Sequence, residues 1–177
     1  MVAVNVNGMV EKTKRREIVE CFKNGGVDVM GVTKTHLKGW GVEECEAGGE
    51  SVMWEGMEGG VVWTGMSEKC KGRGREWCAV LVAPRVWKRV DGHGWCGTRV
   101  AWMTGKIGLI KYAWVCAYAP VNERNKAGRE KMRVFWEKLN GCLRKFETGR
   151  KIVMMGDMNG KVGNERVGSI VGKWGVE

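Results

Sequence analysis

The sequence predicts a mixed α/β domain, in which strands joined by both hairpins and helices form a sheet flanked by helices. Two kinds of pattern support this prediction. Short runs rich in valine, some alternating with other residues, are typical of strands. Two longer segments instead carry apolar residues three and four positions apart, which is typical of amphipathic helices. No repeat and no boundary interrupts the pattern, so we predict one domain over residues 1–177.

The first third of the chain predicts two strands around one helix. Valines alternate with other residues from Val2 to Gly8, which indicates a strand that runs into a turn. The helix is predicted for 11–24, because Ile18, Val19 and Phe22 share one face and a glycine pair follows. A second strand is predicted for 27–32, and the Gly- and Glu-rich stretch 37–52 is predicted to be loop.

The rest of the chain predicts further strands and one long helix. Short strands are expected near 51–54, 61–64, 77–83, 99–103 and 107–118. His93 lies in the Gly-rich stretch 91–94 and is expected to be a loop residue. Apolar residues recur at three and four from 126 to 146, which predicts a helix packed on a sheet. A last strand is expected at 151–155, followed by the weakly patterned stretch 162–177.

Composition favours a globular domain with an anionic partner. The chain has 44% hydrophobic and 28% charged residues, which is ordinary for a globular protein. Its formal charge of +10 favours polyanions, with nucleic acid first and an anionic membrane surface second. Solubility alone is the competing explanation of that charge.

The seven cysteines are an odd number and include no Cys-x-x-Cys pair. This spacing fits neither a disulfide framework nor a zinc site, so we expect mostly reduced, partly buried thiols in an intracellular protein. The first residues lack a signal-peptide pattern, and the most apolar stretch, 107–120, contains Lys111 and is too short to span a bilayer. A soluble nuclear or cytoplasmic protein that is not secreted is therefore predicted, with no membrane partner.

The segment from Lys151 to Gly160 is the most informative in the chain. An apolar run ends at Gly156, and Asp157 and Asn159 follow at alternate positions. Side chains two apart at a strand exit point to the same side, so a carboxylate and an amide would reach one edge of a sheet. Such edges often carry the chemistry of α/β proteins. An ordinary Asp/Asn/Gly turn explains this segment equally well.

Three further segments place polar residues after predicted strands, in the order Asn5–Gly8, Thr33–Gly39 and Ala117–Asn122. Together with Gly156–Gly163, this ordered set resembles the endonuclease/exonuclease/phosphatase superfamily of deoxyribonuclease I-like phosphodiesterases. Within it, the chain is most similar to retrotransposon-type endonucleases and to craniofacial development protein 2-like proteins, whose segments look like "ETHLKG", "YAP" and "GDFNAKVG". The resemblance covers essentially the whole chain.

The resemblance implies a four-layer α/β sandwich and cleavage of DNA phosphodiester bonds with Mg²⁺ or Mn²⁺. Hard divalent ions prefer oxygen ligands, neutralise phosphate charge and activate water. By their match to the family motifs, Asn5 and Asn7 would serve the metal, Tyr118 would support the phosphate, and Asp157 with Asn159 would orient the nucleophile. As alternatives, the asparagines could be turn formers and Tyr118 a core aromatic.

Two departures predict weak or absent activity. Lys34 stands where the family has a metal-binding glutamate, which changes the charge of the site by two units. Each unit at about 4 Å is worth roughly 4 kcal/mol against a cation at an effective dielectric of about 20, so metal binding should be weakened. A lysine could instead serve as a fixed cation for the phosphate. The family also has a later Ser-Asp-His motif that these 177 residues lack, so the predicted sandwich is incomplete at its C-terminus.

Basic residues offer candidate contacts to a nucleic-acid backbone. Arg99 matches an arginine at a strand start in the family and could touch phosphate. The predicted hairpin connection 69–75 contributes Lys69, Lys71, Arg73 and Arg75. Solvated surface charge is the alternative explanation for both groups of basic residues.

Two alternatives stay open beside the nuclease hypothesis: a non-catalytic nucleic-acid-binding remnant, and a truncated chain without stable function. DNA is the first candidate partner, but the sequence does not decide whether DNA, RNA or a phospholipid head group is the substrate, nor does it decide the oligomeric state.

Overall fold

A computed structural model describes residues 1–8, 11–46, 54–67, 77–121 and 125–160. Within these ranges the chain forms two sheets and three helices. The first sheet contains β1 (Val2–Asn5), β2 (Val29–Thr33), β3 (Gly41–Cys45), β4 (Gly59–Thr64) and β5 (Cys78–Val82). The second sheet contains β6 (Val90–Trp95), β7 (Val100–Ile107), β8 (Ile110–Tyr118) and β9 (Lys151–Asp157). The helices are α1 (Lys12–Asn24), α2 (Pro84–Trp87) and α3 (Lys126–Leu143).

The two sheets are both mixed in strand direction. The first has the order β1-β2-β5-β4-β3, in which only the β1–β2 pair is parallel. The second has the order β6-β7-β8-β9, in which only the β8–β9 pair is parallel. Each parallel pair is joined through a helix, α1 or α3, as a parallel connection requires.

The core is divided into three apolar layers. Between the sheets, residues such as Val80 of β5 pack with Trp114 and Met155 of the second sheet. On the outer face of the first sheet, Phe22 of α1 packs over β2 and β5. On the outer face of the second sheet, Leu139 of α3 packs over β7 and β8. The order helix, sheet, sheet, helix confirms the predicted α/β sandwich.

Strand directions bring several carboxyl ends to one edge of the sandwich. β1 and β2 end side by side at Asn5 and Thr33, and β8 and β9 end side by side at Tyr118 and Asp157. A hydrogen bond from the Asn5 side chain to Asp157 joins these two pairs of ends across the sheets. We call this edge the site rim.

Two stretches predicted as loops are strands. β3 lies inside the predicted loop 37–52, and β6 contains the stretch 91–94 with His93. Both are edge strands, bonded to one neighbour only, and are rich in glycine or glutamate. Local propensity is weak in such sequences, so pairing with β4 and β7 decides their conformation.

The remaining differences concern element boundaries. The short helix α2 was not predicted, and β9 continues two residues further than predicted, to Asp157. Of the strand predicted near 51–54, only Trp54 is described, and it lies in a bend.

The cysteines that the structure describes are free thiols, mostly buried, as predicted. None of the described helices has the length and apolar character needed to cross a membrane.

Candidate functional site

Asp157 lies at the centre of the site rim, as the last residue of β9. Its Oδ2 accepts a hydrogen bond of 3.0 Å from the Asn5 side-chain amide, and its Oδ1 accepts one of 2.9 Å from the backbone N–H of Asn159. The ammonium nitrogen of Lys34 lies 3.5 Å from the same Oδ2. Both carboxylate oxygens therefore already have donors or a cation from the protein.

Lys34 is held at the rim by its backbone. It follows β2 with a φ of +56°, a conformation that side-chain-bearing residues seldom adopt. Its N–H donates to the carbonyl of Trp77 at 3.0 Å, and its carbonyl accepts from the N–H of Gly8. The side chain is 28% exposed, and its ammonium lies 5.7 Å from the centre of the Tyr118 ring. A half-desolvated ammonium between a carboxylate and an aromatic face is a fixed positive charge.

Asn159 closes a turn after β9. Its backbone N–H donates to Asp157, which is the Asx turn that such a sequence favours. Its side-chain nitrogen donates to the carbonyl of Ala119 at 2.6 Å and so ties the turn to the end of β8. The segment thus forms the turn that the sequence allows, and the turn holds Asp157 in the cluster with Asn5 and Lys34.

Tyr118 and Arg99 form the next layer of the rim. Tyr118 ends β8 beside Asp157 and is only 7% exposed. The Arg99 guanidinium lies 5.5 Å from the centre of its ring and donates to its carbonyl at 3.1 Å. Two cationic groups, Lys34 and Arg99, therefore lie near one aromatic ring, which adds positive charge to this part of the rim.

Backbone strain concentrates at this edge. Among the described residues, the non-glycine positions with positive φ are Asn7, Lys34, His36 and Asn159. All four follow strands that end at the site rim. Such conformations cost of the order of 1–3 kcal/mol each, and they persist where the surrounding structure requires them, often at functional sites. In the sequence, only the short polar segments after each strand point to these backbone conformations.

A cleft of about 380 Å³ opens between the two sheets at the rim. Its walls include Asn5, Thr33, Asp157 and Asn159. Thr33 is 1% exposed, and its hydroxyl has no hydrogen-bond partner within the described ranges. The same holds for Thr35, which is fully buried. These two hydroxyls were missed by the sequence analysis, although they flank Lys34 in the chain.

The donor set at the rim does not fit a divalent cation well. Asp157 is its one carboxylate, and the described part of the chain holds no cluster of three or more His, Cys, Asp or Glu side chains. The ammonium of Lys34 occupies space beside Oδ2 that a metal ion would need. A hard divalent ion prefers several oxygen ligands and is repelled by a neighbouring ammonium.

The predicted site residues are therefore brought together in part. Asn5, Tyr118, Asp157 and Asn159 meet at the rim with Lys34, and Arg99 adjoins them. Asn7 lies at the same edge and is exposed to solvent. His36 packs against Gly8, where an added Cβ would lie 3.2 Å from its Nδ1. The predicted basic residues Lys71, Arg73 and Arg75, together with Lys69, lie outside the described ranges.

Comparison with known proteins identifies the fold. No protein-family model matches the chain, and no curated protein matches it. Solved structures do match. A 3′ phosphatase from Neisseria, bound to a product DNA hairpin, aligns with a TM-score of 0.58 at 13% identity over 89% of this chain and 56% of its own.

Two further structures align at similar levels. An endonuclease/exonuclease/phosphatase family protein from Leptotrichia buccalis has a TM-score of 0.54 at 12% identity, over 90% of this chain and 66% of its own. An AP endonuclease from Archaeoglobus fulgidus has a TM-score of 0.53 at 16% identity, over 89% of this chain and 56% of its own. The chain thus spans less than two thirds of each of these structures. At such identities the likeness concerns the fold: this chain adopts the deoxyribonuclease I-like α/β sandwich of endonuclease/exonuclease/phosphatase proteins.

Proposed function

We propose that the site rim binds a phosphodiester of nucleic acid, DNA in the first place, and that its metal-dependent hydrolysis is weak or absent. The observation that carries this proposal is the position of Lys34, whose ammonium lies 3.5 Å from Asp157 and beside Tyr118. The fold supports a phosphodiesterase origin, because the structures that share it include a phosphatase bound to DNA and an AP endonuclease.

Phosphate binding follows from the charges at the rim. Lys34 is a compact point charge, and the Arg99 guanidinium lies 5.5 Å from the centre of the same tyrosine ring. The formal charge of +10 adds a long-range attraction for polyanions. The cleft itself is lined by Asn5 and Asp157, and the Lys34 ammonium lies 3.5 Å from Oδ2 of Asp157.

Hydrolysis is a different matter, because it needs a metal and a free base. In the related enzymes that the motifs resemble, Mg²⁺ or Mn²⁺ supplies charge neutralisation and an activated water. Here Asn5 and Asp157 are the residues that would hold such an ion, and Lys34 opposes it. Both oxygens of Asp157 already accept hydrogen bonds, Oδ1 from the Asn159 backbone and Oδ2 from the Asn5 amide.

The subfamily to which the chain belongs is also part of the proposal. The resemblance to retrotransposon-type endonucleases and to craniofacial development protein 2-like proteins rests on the motifs at Thr33–Gly39, Tyr118–Pro120 and Gly156–Gly163. It favours DNA over other phosphoesters. It also makes a non-catalytic binding remnant the natural alternative to a weak nuclease.

Plasmid nicking and binding together test the proposal. The purified chain and its Asp157→Ala variant are incubated with supercoiled plasmid and Mg²⁺ or Mn²⁺, and binding is measured on labelled DNA as salt is raised. We expect no nicking above that of the variant, together with binding that weakens steeply with salt and does not depend on metal. Metal-dependent nicking that the Asp157→Ala change abolishes would overturn the impairment, and absence of salt-sensitive binding would overturn the binding function.

A further inference from the structure

Two tryptophans, Trp40 and Trp95, lie in contact on the surface of the sandwich. Their ring centres are 6.3 Å apart with planes inclined by 41°. Trp40 is 56% exposed and Trp95 is 39% exposed, whereas Trp54, Trp77 and Trp114 are completely buried. Neither Trp40 nor Trp95 belongs to any of the three apolar layers of the core. Core packing therefore does not account for this aromatic pair.

The pair lies on the same edge of the molecule as Asp157. Trp40 directly precedes β3, and Gly41, the first residue of β3, pairs with Trp63 near the carboxyl end of β4. Because β4 runs parallel to β2, this end of β4 lies on the same edge as the end of β2. Trp95 ends β6, which runs parallel to β8. The Thr64 hydroxyl, at the end of β4, donates to the carbonyl of Gly97 at 2.7 Å and ties the two sheets together beside the pair. The site rim thus continues from Asp157 to Trp40 and Trp95.

The separation between the two features can be read from the strand order. Three strand spacings separate β9 from β6, and three separate β2 from β3. At about 4.8 Å per spacing, the aromatic pair lies roughly 14 Å from the Asp157–Lys34 cluster. That is about four nucleotides of stacked strand at about 3.4 Å each, and fewer when the strand is stretched.

Positive charge lies between the two features. Arg99 stands at the start of β7, between the strands that carry Tyr118 and Trp95, and Lys38 is exposed in the segment that leads from Lys34 to Trp40. A nucleic-acid backbone that runs along the rim would therefore pass cationic side chains before its bases reach the aromatic pair. Exposed aromatic rings beside a cationic track are the combination that binds single strands, because every base offers a face for stacking.

We propose that Trp40 and Trp95 form a stacking platform for an unpaired base of a strand whose phosphate lies at Lys34 and Asp157. This inference rests on the proposed function and specifies its substrate class as single-stranded or locally unpaired DNA. In an intact duplex, neighbouring bases cover both faces of each base, so the platform discriminates against paired DNA.

The test compares affinities for a fluorescein-labelled single strand and for a duplex of the same sequence, by fluorescence anisotropy. Trp40→Ala and Trp95→Ala should each weaken single-strand binding by about tenfold or more, with little effect on the duplex. Trp40→Phe should retain most of the affinity. Trp136→Ala is the matched control, because Trp136 is 40% exposed on α3 and outside the rim.

Oligonucleotides that lack a base at one position separate this inference from the proposed function without altering the protein. When the missing base is moved along the strand, the affinity of the wild-type chain should fall at the position that occupies the platform, and the affinity of the Trp40→Ala variant should not change with that position. If the tryptophan changes leave single-strand affinity intact while Lys34→Ala lowers it, the platform is overturned and phosphate binding stands. If Lys34→Ala also has no effect, the proposed function fails with it.

Discussion

The ammonium nitrogen of Lys34 lies 3.5 Å from Oδ2 of Asp157, across the gap between the two sheets at their common edge. One residue follows β2 of the first sheet and the other ends β9 of the second. The ion pair therefore joins the two halves of the sandwich. Lys34 is 28% exposed and Asp157 is 24% exposed, so solvent screens the pair and it adds little to stability. Its main effect is on which ligands can bind at the site rim.

Changing Lys34 to glutamate should create an affinity for Mg²⁺. The change removes the opposing ammonium and adds a second carboxylate beside Asp157. Without metal, the two carboxylates repel and the variant should be less stable than the wild type. At about ten times its dissociation constant, bound Mg²⁺ would return roughly 1.4 kcal/mol, which thermal unfolding detects.

Lys88→Glu is the control for this experiment. It makes the same change of charge on an exposed residue that follows α2, at the opposite edge of the sandwich. An equal response to Mg²⁺ in the two variants, or in the wild type, would show that Lys34 does not control metal binding.

Lys34 should also contribute one phosphate contact to DNA binding. Replacing it by methionine keeps an unbranched side chain that is one atom shorter and removes its charge. We expect weaker binding and a logarithmic salt slope that is smaller by about 0.7 on a single strand, or about 0.9 on a duplex, because less counterion is released for each phosphate contact that is lost. The measurement is a salt titration of affinity, with Lys88→Met as the control. An unchanged slope would exclude a phosphate contact by Lys34.

The architecture was predictable because most of its strands carry strong local signals. The valine-rich β2 and β5 and the amphipathic α1 and α3 are recognisable from the chain alone. β3 and β6 were not recognisable from the sequence, because the conformation of an edge strand of low propensity depends on the strand with which it pairs. The same limit applies at the site: the sequence places Asp157 and Asn159 after a strand, yet only the folded chain shows that Lys34 reaches Asp157 and that Asn159 is bound to Ala119.

Gly156 should be essential for the end of β9. Its φ is +129°, and a Cβ added there would lie 2.0 Å from the carbonyl oxygen of Ala117 in the neighbouring strand. Gly156→Ala should therefore lower the free energy of unfolding by about 2–4 kcal/mol, because the added carbon both strains φ and displaces β8 from β9. It should also weaken DNA binding, because Asp157 is the next residue.

Gly141→Ala should change the free energy of unfolding in the opposite direction, and the same assay measures it. Gly141 lies in α3, is exposed, and has nothing within 4 Å of an added Cβ. Alanine should stabilise the helix there by about 0.5–1 kcal/mol. Denaturant unfolding measures both variants, and a Gly156→Ala protein as stable as the wild type would contradict the close approach of β8.

Cys96 should be the most reactive thiol on the site-rim side of the second sheet. It follows β6 and packs against the core under α3, where Cys142 lies. A hydrogen bond from the Cys142 thiol and the positive charge of Lys145 lower the pKa of Cys96 to about 6, although partial burial opposes this. The same contact and burial raise the pKa of Cys142. A lowered pKa means that the reactive thiolate of Cys96 is already the main form at neutral pH.

The alkylation rate of Cys96 by iodoacetamide, followed by peptide mass spectrometry between about pH 5 and pH 9, should accordingly rise with a midpoint near pH 6. Cys142→Ala removes the hydrogen-bond donor, so the midpoint should move to higher pH. Labelling of Cys142 in the wild type reports any unfolding, because this thiol is 1% exposed and should stay unmodified in the folded chain. A Cys96 midpoint that is the same in the wild type and in Cys142→Ala would show that the neighbouring thiol does not stabilise the thiolate.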